Sequence, residues 1–119
     1  MLDQNSKHDF PGKYLPIKKQ GRVQLIELKD ILFIQGANIY AEIHLLNGKR
    51  ELSNKNLENL SQILPNWFAR IHKSYIANMH QAKEITVHPG AKYELQLADG
   101  RSLPVGRTRY PQIRDQFFS

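Results

Sequence analysis

Over much of the chain apolar and polar residues alternate with a period of two, the signature of strands buried on one face. Val23 to Leu28 alternates in this way, and Ile31–Ile34 is a short apolar run ending at Gln35 and Gly36. In Tyr40–Leu46, Tyr40, Glu42 and His44 share one face while Ala41, Ile43 and Leu45 share the other. Asn47-Gly48 predicts a type I′ hairpin, since both residues accept positive φ, with Lys49–Leu52 as the returning strand. Tyr93–Leu97, a turn at Asp99-Gly100, and Ser102–Val105 make a second hairpin. Two segments follow helical spacing instead. Leu57, Leu60, Ile63 and Leu64 form one face, with Asn54 or Asn56 as N-cap and Pro65 at the end. Tyr110, Ile113 and Phe117 form the other, where Pro111 is tolerable only in the first turn. The pattern predicts a mainly β domain with two short α-helices.

One stretch combines this pattern with crowded chemistry. In Phe68–Asn78, the residues Phe68, Ile71, Tyr75 and Ile76 can pack inward, while Arg70, His72, Lys73 and Ser74 gather cations and hydrogen-bond donors. Like charges at such spacing repel, and an anionic partner relieves the repulsion; a phosphate backbone is the commonest such partner. The competing explanation is a solvated strand edge that happens to be basic.

Phe68–Asn78 resembles the F-x-R-[IC]-H-[RK]-S-[YF]-[IV]-x-N segment of the LytTR DNA-binding domain, the output module of many bacterial response regulators. Asp30–Tyr40 resembles that family's D-I-x-[YF]-[IF]-[EQ]-[AS]-x-[GN]-x-Y run. Leu57–Pro65 resembles its N-L-x-x-L-x-x-x-L-P helix, and Leu103–Tyr110 its L-P-V-[SG]-R-x-x-Y ending, with Gly106 where many relatives carry Ser. Together these segments cover roughly Leu15 to Phe117. The resemblance implies an elongated stack of small antiparallel β-sheets with short helices. It also implies that duplex DNA is read by inter-strand loops, not by a recognition helix.

Three loops carry candidate contacts. In Gly36–Tyr40, Asn38 can pair with an adenine edge and Tyr40 can donate to a phosphate or pack on a sugar. The alternative there is a polar turn with a half-buried Tyr; the resemblance implies that side chains of this loop enter the major groove. In the second loop, Lys73 is a flexible point charge suited to phosphate. Ser74 adds a donor beside it, and His72 can either contact a phosphate or satisfy the local backbone as a neutral ring. Arg70, at even spacing from His72 and expected on the same strand face, is either a DNA contact or a structural ion-pair partner. In the third loop, the resemblance places a base-reading Arg at Arg107, whose planar fork suits O6 and N7 of guanine. Thr108 is an N-cap or a phosphate ligand, Arg109 a backbone contact or a solvated charge. Free N–H groups at the start of the last helix can supplement phosphate binding.

Composition narrows the field further. The 119 residues suit one domain, expected over 15–119 behind a polar leader or linker stub at 1–14. There is no room in this length for a receiver domain; the module either stands alone or is cut from a longer protein, and the resemblance implies a receiver or sensor partner outside this chain. With 17 Lys and Arg against 11 Asp and Glu, the net charge is +6 and the pI near 9.7, favouring nucleic acid over a membrane surface. The absence of Cys excludes disulfides and thiolate sites, and suits a cytoplasmic location. No apolar run approaches the ~18–20 residues of a membrane span. His72, His80 and His88 are spaced by eight, which matches no zinc pattern, and phosphate-cradling glycine motifs are missing, so neither metal nor cofactor is expected. A hydrolase using His72 or His44 with Asp30 or Asp99 lacks a recognisable arrangement, and no enzyme is expected. Single-strand binding through stacking on Tyr40, Trp67 and Tyr75 is a weaker reading, since each also suits a small core. The leading expectation is sequence-specific binding of duplex DNA in bacterial transcription control, and the resemblance implies direct repeats in promoters as the sites, with a homodimer on DNA as one arrangement. The alternative is a protein-interaction module of the same fold that no longer binds DNA, using sheet edges and Phe117-Phe118.

Overall fold

The computed structural model describes residues 13–119; the leader expected at 1–14 lies, over 1–12, outside the described residues. Among the described residues, ten strands and two α-helices follow one another as β1 (Tyr14–Lys19), β2 (Arg22–Glu27), β3 (Ile31–Ala37), β4 (Tyr40–Leu45), β5 (Arg50–Ser53), α1 (Leu57–Ile63), β6 (Phe68–His72), β7 (Tyr75–Asn78), β8 (Ala82–His88), β9 (Lys92–Leu97), β10 (Ser102–Val105) and α2 (Tyr110–Phe117). They form three antiparallel sheets: the ribbon β1-β2, a five-stranded sheet ordered β5-β4-β3-β7-β6, and a three-stranded sheet ordered β10-β9-β8. The molecule is elongated, about 53 × 30 × 25 Å.

The five-stranded sheet is the middle layer, and this explains the unbroken apolar run Ile31–Ile34. A strand covered on both faces has no polar side to alternate with. Ile31 and Ile34 face one core, shared with Leu15, Ile17 and Ile26 of the ribbon and Leu57 and Leu60 of α1. Leu32 and Phe33 face a second core with Leu95, Leu97, Leu103, Val105 and Ile113 from the three-stranded sheet and α2. Asn78 closes the end of the β3–β7 pairing within the five-stranded sheet: it is buried, donates Nδ2 to the Ile31 carbonyl at 2.8 Å and accepts from the His80 amide at 2.9 Å. Trp67 packs on the first core beside Phe68, a structural placement.

Local sequence chemistry sets the ends of the elements. Asn56 caps α1 by accepting the Asn59 amide at 2.9 Å, and Leu64 is extended ahead of Pro65, as the residue before a proline favours. The two Gly-containing hairpins depart from the type I′ expectation. Gly48 and Gly100 have positive φ, but Asn47 and Asp99 do not. In each, the glycine amide bonds back three residues (Gly48 to Leu45 O, Gly100 to Leu97 O) and the strand recloses one residue later. Asn47 and Asp99 instead use their side chains to accept the Lys49 and Arg101 amides.

Candidate nucleic-acid interface

The three expected loops converge through backbone hydrogen bonds. The Gly36 amide donates to the Ser74 carbonyl at 2.9 Å, joining the β3–β4 hairpin to the β6–β7 turn. The Gly106 amide donates to the Ile71 carbonyl at 2.7 Å, joining the β10–α2 connection to the same turn from the other side. A Cβ on Gly36 would meet Leu57 Cδ1 at 3.0 Å, so the missing side chain lets α1 close against β3. Between the first two loops and the start of α1 lies an open cleft of about 440 Å³, lined by Asn38, Arg70, Lys73 and Ser74 among others.

The β6–β7 turn is the best-braced of the three. Register shifts between Arg70 and His72, leaving Ile71 as the extra residue and fully buried. The even spacing of Arg70 and His72 therefore does not put them on a regular strand face. Arg70 instead reaches along the turn, donating Nε to the His72 carbonyl at 3.0 Å and Nη2 to the Lys73 carbonyl. Its contact with Glu58 is long, 3.9 Å, and half of that pair is well exposed. His72 Nδ1 accepts the Ser74 amide at 3.0 Å, so the neutral ring carries its proton on Nε2. Burial first, then the charges of Lys73, Arg109 and Arg70, push the His72 pKa below its ordinary value. Lys73 stands exposed at the tip, with no ion-pair partner among the described residues.

The other two loops present their side chains outward. Ala37 pairs with Tyr40, so Asn38 and Ile39 alone form the β3–β4 loop, with Asn38 exposed at φ 63°. Tyr40 is 40% exposed. In the third loop Arg107 and Thr108 are exposed and Arg109 is half-buried. Arg109, not Thr108, occupies the N-cap position of α2, and no side chain caps that helix. Its start also offers fewer donors than expected: the Arg109 and Tyr110 amides both donate to the Gly106 carbonyl, and Pro111 has no amide hydrogen. Tyr110 stacks on Tyr93 with centroids 3.9 Å apart, fixing the loop to the three-stranded sheet.

The other histidines among the described residues have separate local partners. His80 packs on Trp67, His88 meets Glu94 at 3.1 Å, and His44 stacks on Phe33 at 4.2 Å. One exposed side chain at the interface was not anticipated from the sequence. Ile39 is 82% exposed at the tip of the β3–β4 loop.

Known proteins agree with this geometry. The family model described as the LytTr DNA-binding domain matches residues 21–118. The chain belongs to the LytTr DNA-binding domain family. It is 26% identical over 106 residues to the transcriptional regulatory protein BtsR of Escherichia coli K12, covering 87% of this chain and 42% of that protein. It is 31% identical over 103 residues to the heme-containing CO-sensing transcriptional regulator RcoM 2 of Paraburkholderia xenovorans, covering 85% and 38%. The transcriptional regulatory protein LytR of Staphylococcus aureus N315 is 29% identical over 94 residues, covering 79% and 38%. The chain thus spans about two-fifths of the length of these LytTr relatives. A solved LytTr DNA-binding domain from Bacillus cereus superimposes with a TM-score of 0.74 at 16% identity, over 87% of this chain and 94% of that one, which establishes the shared fold.

Proposed function

We propose that this LytTr domain binds duplex DNA sequence-specifically as the DNA-reading part of a bacterial transcription regulator. The observation that carries this reading is the pair of exposed cations Lys73 and Arg107, neither with an ion-pair partner among the described residues, on loops joined by the hydrogen bond from the Gly106 amide to the Ile71 carbonyl. Lys73 and the His72 Nε2–H hold phosphates, with Ser74 and Thr108 as further donors. Arg107 reads guanine through its fork, and Asn38 reads adenine from the neighbouring loop. Tyr40 and Arg109 flank these contacts and hold the backbone. Arg70 acts chiefly through the turn whose carbonyls it bridges. Two copies occupy direct repeats on one face of the duplex, and a receiver or sensor partner outside this chain sets their occupancy.

Selection of bound duplexes from a random pool tests the proposal. Enrichment of a repeated motif whose half-sites share a groove spacing is the expected result. Absence of any enriched motif, with binding insensitive to salt, contradicts it.

A further inference from the structure

The exposed large apolar side chains of this domain are scattered over its surface, and singly they need no explanation. Ile39 differs in three respects. At 82% it is the most exposed of them, standing well above Val23 at 61%. It occupies the second position of a two-residue hairpin loop, where Asn38 takes the positive φ and a β-branched side chain has nothing to pack on. And the hairpin projects. Gly36 lies level with Ser74, so Ala37 and then the paired tip Asn38-Ile39 extend two residue steps, roughly 6–7 Å, beyond the β6–β7 turn before the side chain's own length is added. That reach is comparable with the ~8.5 Å depth of a major groove.

We infer that Ile39 reads a thymine through its C5-methyl group, an inference that rests on the DNA-binding reading above. An apolar tip next to Asn38, which itself lines the cleft with Lys73, needs an apolar spot inside an otherwise polar, anionic surface. The thymine methyl is the one apolar group that base edges present in the major groove. Asn38 and Ile39 then divide the work at adjacent steps, one by hydrogen bonds to adenine, the other by excluding water from a methyl.

The test uses the full 119-residue chain and the operator obtained by selection. Each thymine is replaced in turn by deoxyuridine, which removes only the methyl. The wild-type protein is expected to lose roughly four-fold in affinity at one thymine per half-site, the worth of one buried methyl. Ile39→Ala should lose a similar factor on the thymine operator and become indifferent to uridine at that one position, while Ile39→Val keeps most of the discrimination. Thermal melts of both variants should match the wild type, since Ile39 touches no core. The inference is overturned if wild type and Ile39→Ala show the same thymine-to-uridine ratio at every position. It is equally overturned if Ile39→Ala alters only the cooperativity between two half-sites, which would make the loop a contact between copies. In both cases salt-dependent operator binding persists, so the DNA-binding reading survives; failure to obtain any operator removes both.

Discussion

Arg70→Met is the perturbation that separates holding the β6–β7 turn from holding DNA. The substitution keeps an unbranched stem but deletes two charged hydrogen bonds, Nε to the His72 carbonyl and Nη2 to the Lys73 carbonyl, together with the long contact to Glu58. A hydrogen bond from a charged donor contributes about 1.5–3 kcal/mol when shielded. Here the side chain is 21% exposed and water can replace part of the loss, so the two together should cost about 1–3 kcal/mol. At roughly 4 °C per kcal/mol for a domain of this size, the melting temperature should fall by about 4–12 °C. Duplex affinity, measured by titration at several salt concentrations, should fall for every sequence because Lys73 and Ser74 lose their positions. The slope of log K against log salt should not change, since Lys73 still reaches its phosphate once the duplex orders the turn and the loss is the cost of that ordering. If Arg70→Met melts with the parent and its salt slope becomes shallower by about one unit, Arg70 is a phosphate ligand and the bracing role is refuted.

Lys73→Ala should do the opposite: leave the melt unchanged, weaken cognate and scrambled duplexes alike, and reduce the salt slope by about one unit. Arg107→Ala should cost about 1–3 kcal/mol on the operator and relax one base pair per half-site in a competition assay, with Arg107→Lys rescuing little because it lacks the planar fork. Acidification should destabilise the fold. Burial lowers the pKa of both His44 and His72 below 6.5, so their contributions are complete above the unfolded value and are lost as pH falls below it through the folded values. Melts at pH 7.5 and 5.5 should show the loss, and His44→Phe should reduce it. That variant keeps the stack on Phe33 and removes a buried Nε2 that has no hydrogen-bond partner among the described residues.

Several elements were legible because their cause is local. The apolar spacing of Leu57 and Leu60, the Asn56 cap and Pro65 each act within a turn of chain, and all of α1 follows from them. The covered middle strand was visible as the run Ile31–Ile34, although its extension to Ala37 was not. Gln35 and Gly36 look like a turn until Leu57 is known to need the space beside Gly36. β1 escaped notice because Pro16 interrupts a short stretch, tolerated there as an exposed position of a two-stranded ribbon. β8 escaped although Glu84–His88 alternates polar and apolar, and that alternation marks no buried face, since Val87 is 59% exposed. At the interface, the residue types of all three loops were evident but their conformations were not. Arg70 and His72 are two apart in sequence, and only the bulge at Ile71 turns the first toward the carbonyls of the turn. Thr108 looked like a cap because its hydroxyl suits one, yet the helix begins one residue later. Ile39 escaped because an apolar residue next to a strand is ordinarily assigned to the core.

Mapping backbone amide resonances of the full chain during titration with the selected duplex tests most directly whether the three loops form one DNA-binding face. The account predicts that the largest shifts cluster at 36–40, 72–75 and 106–109 and that they saturate together. The outer face of the β1–β2 ribbon, around Val23 and Leu25, and the β8–β9 turn should remain unmoved. Saturating shifts confined to the ribbon or to the β8–β9 turn, with the three loops silent, would contradict it.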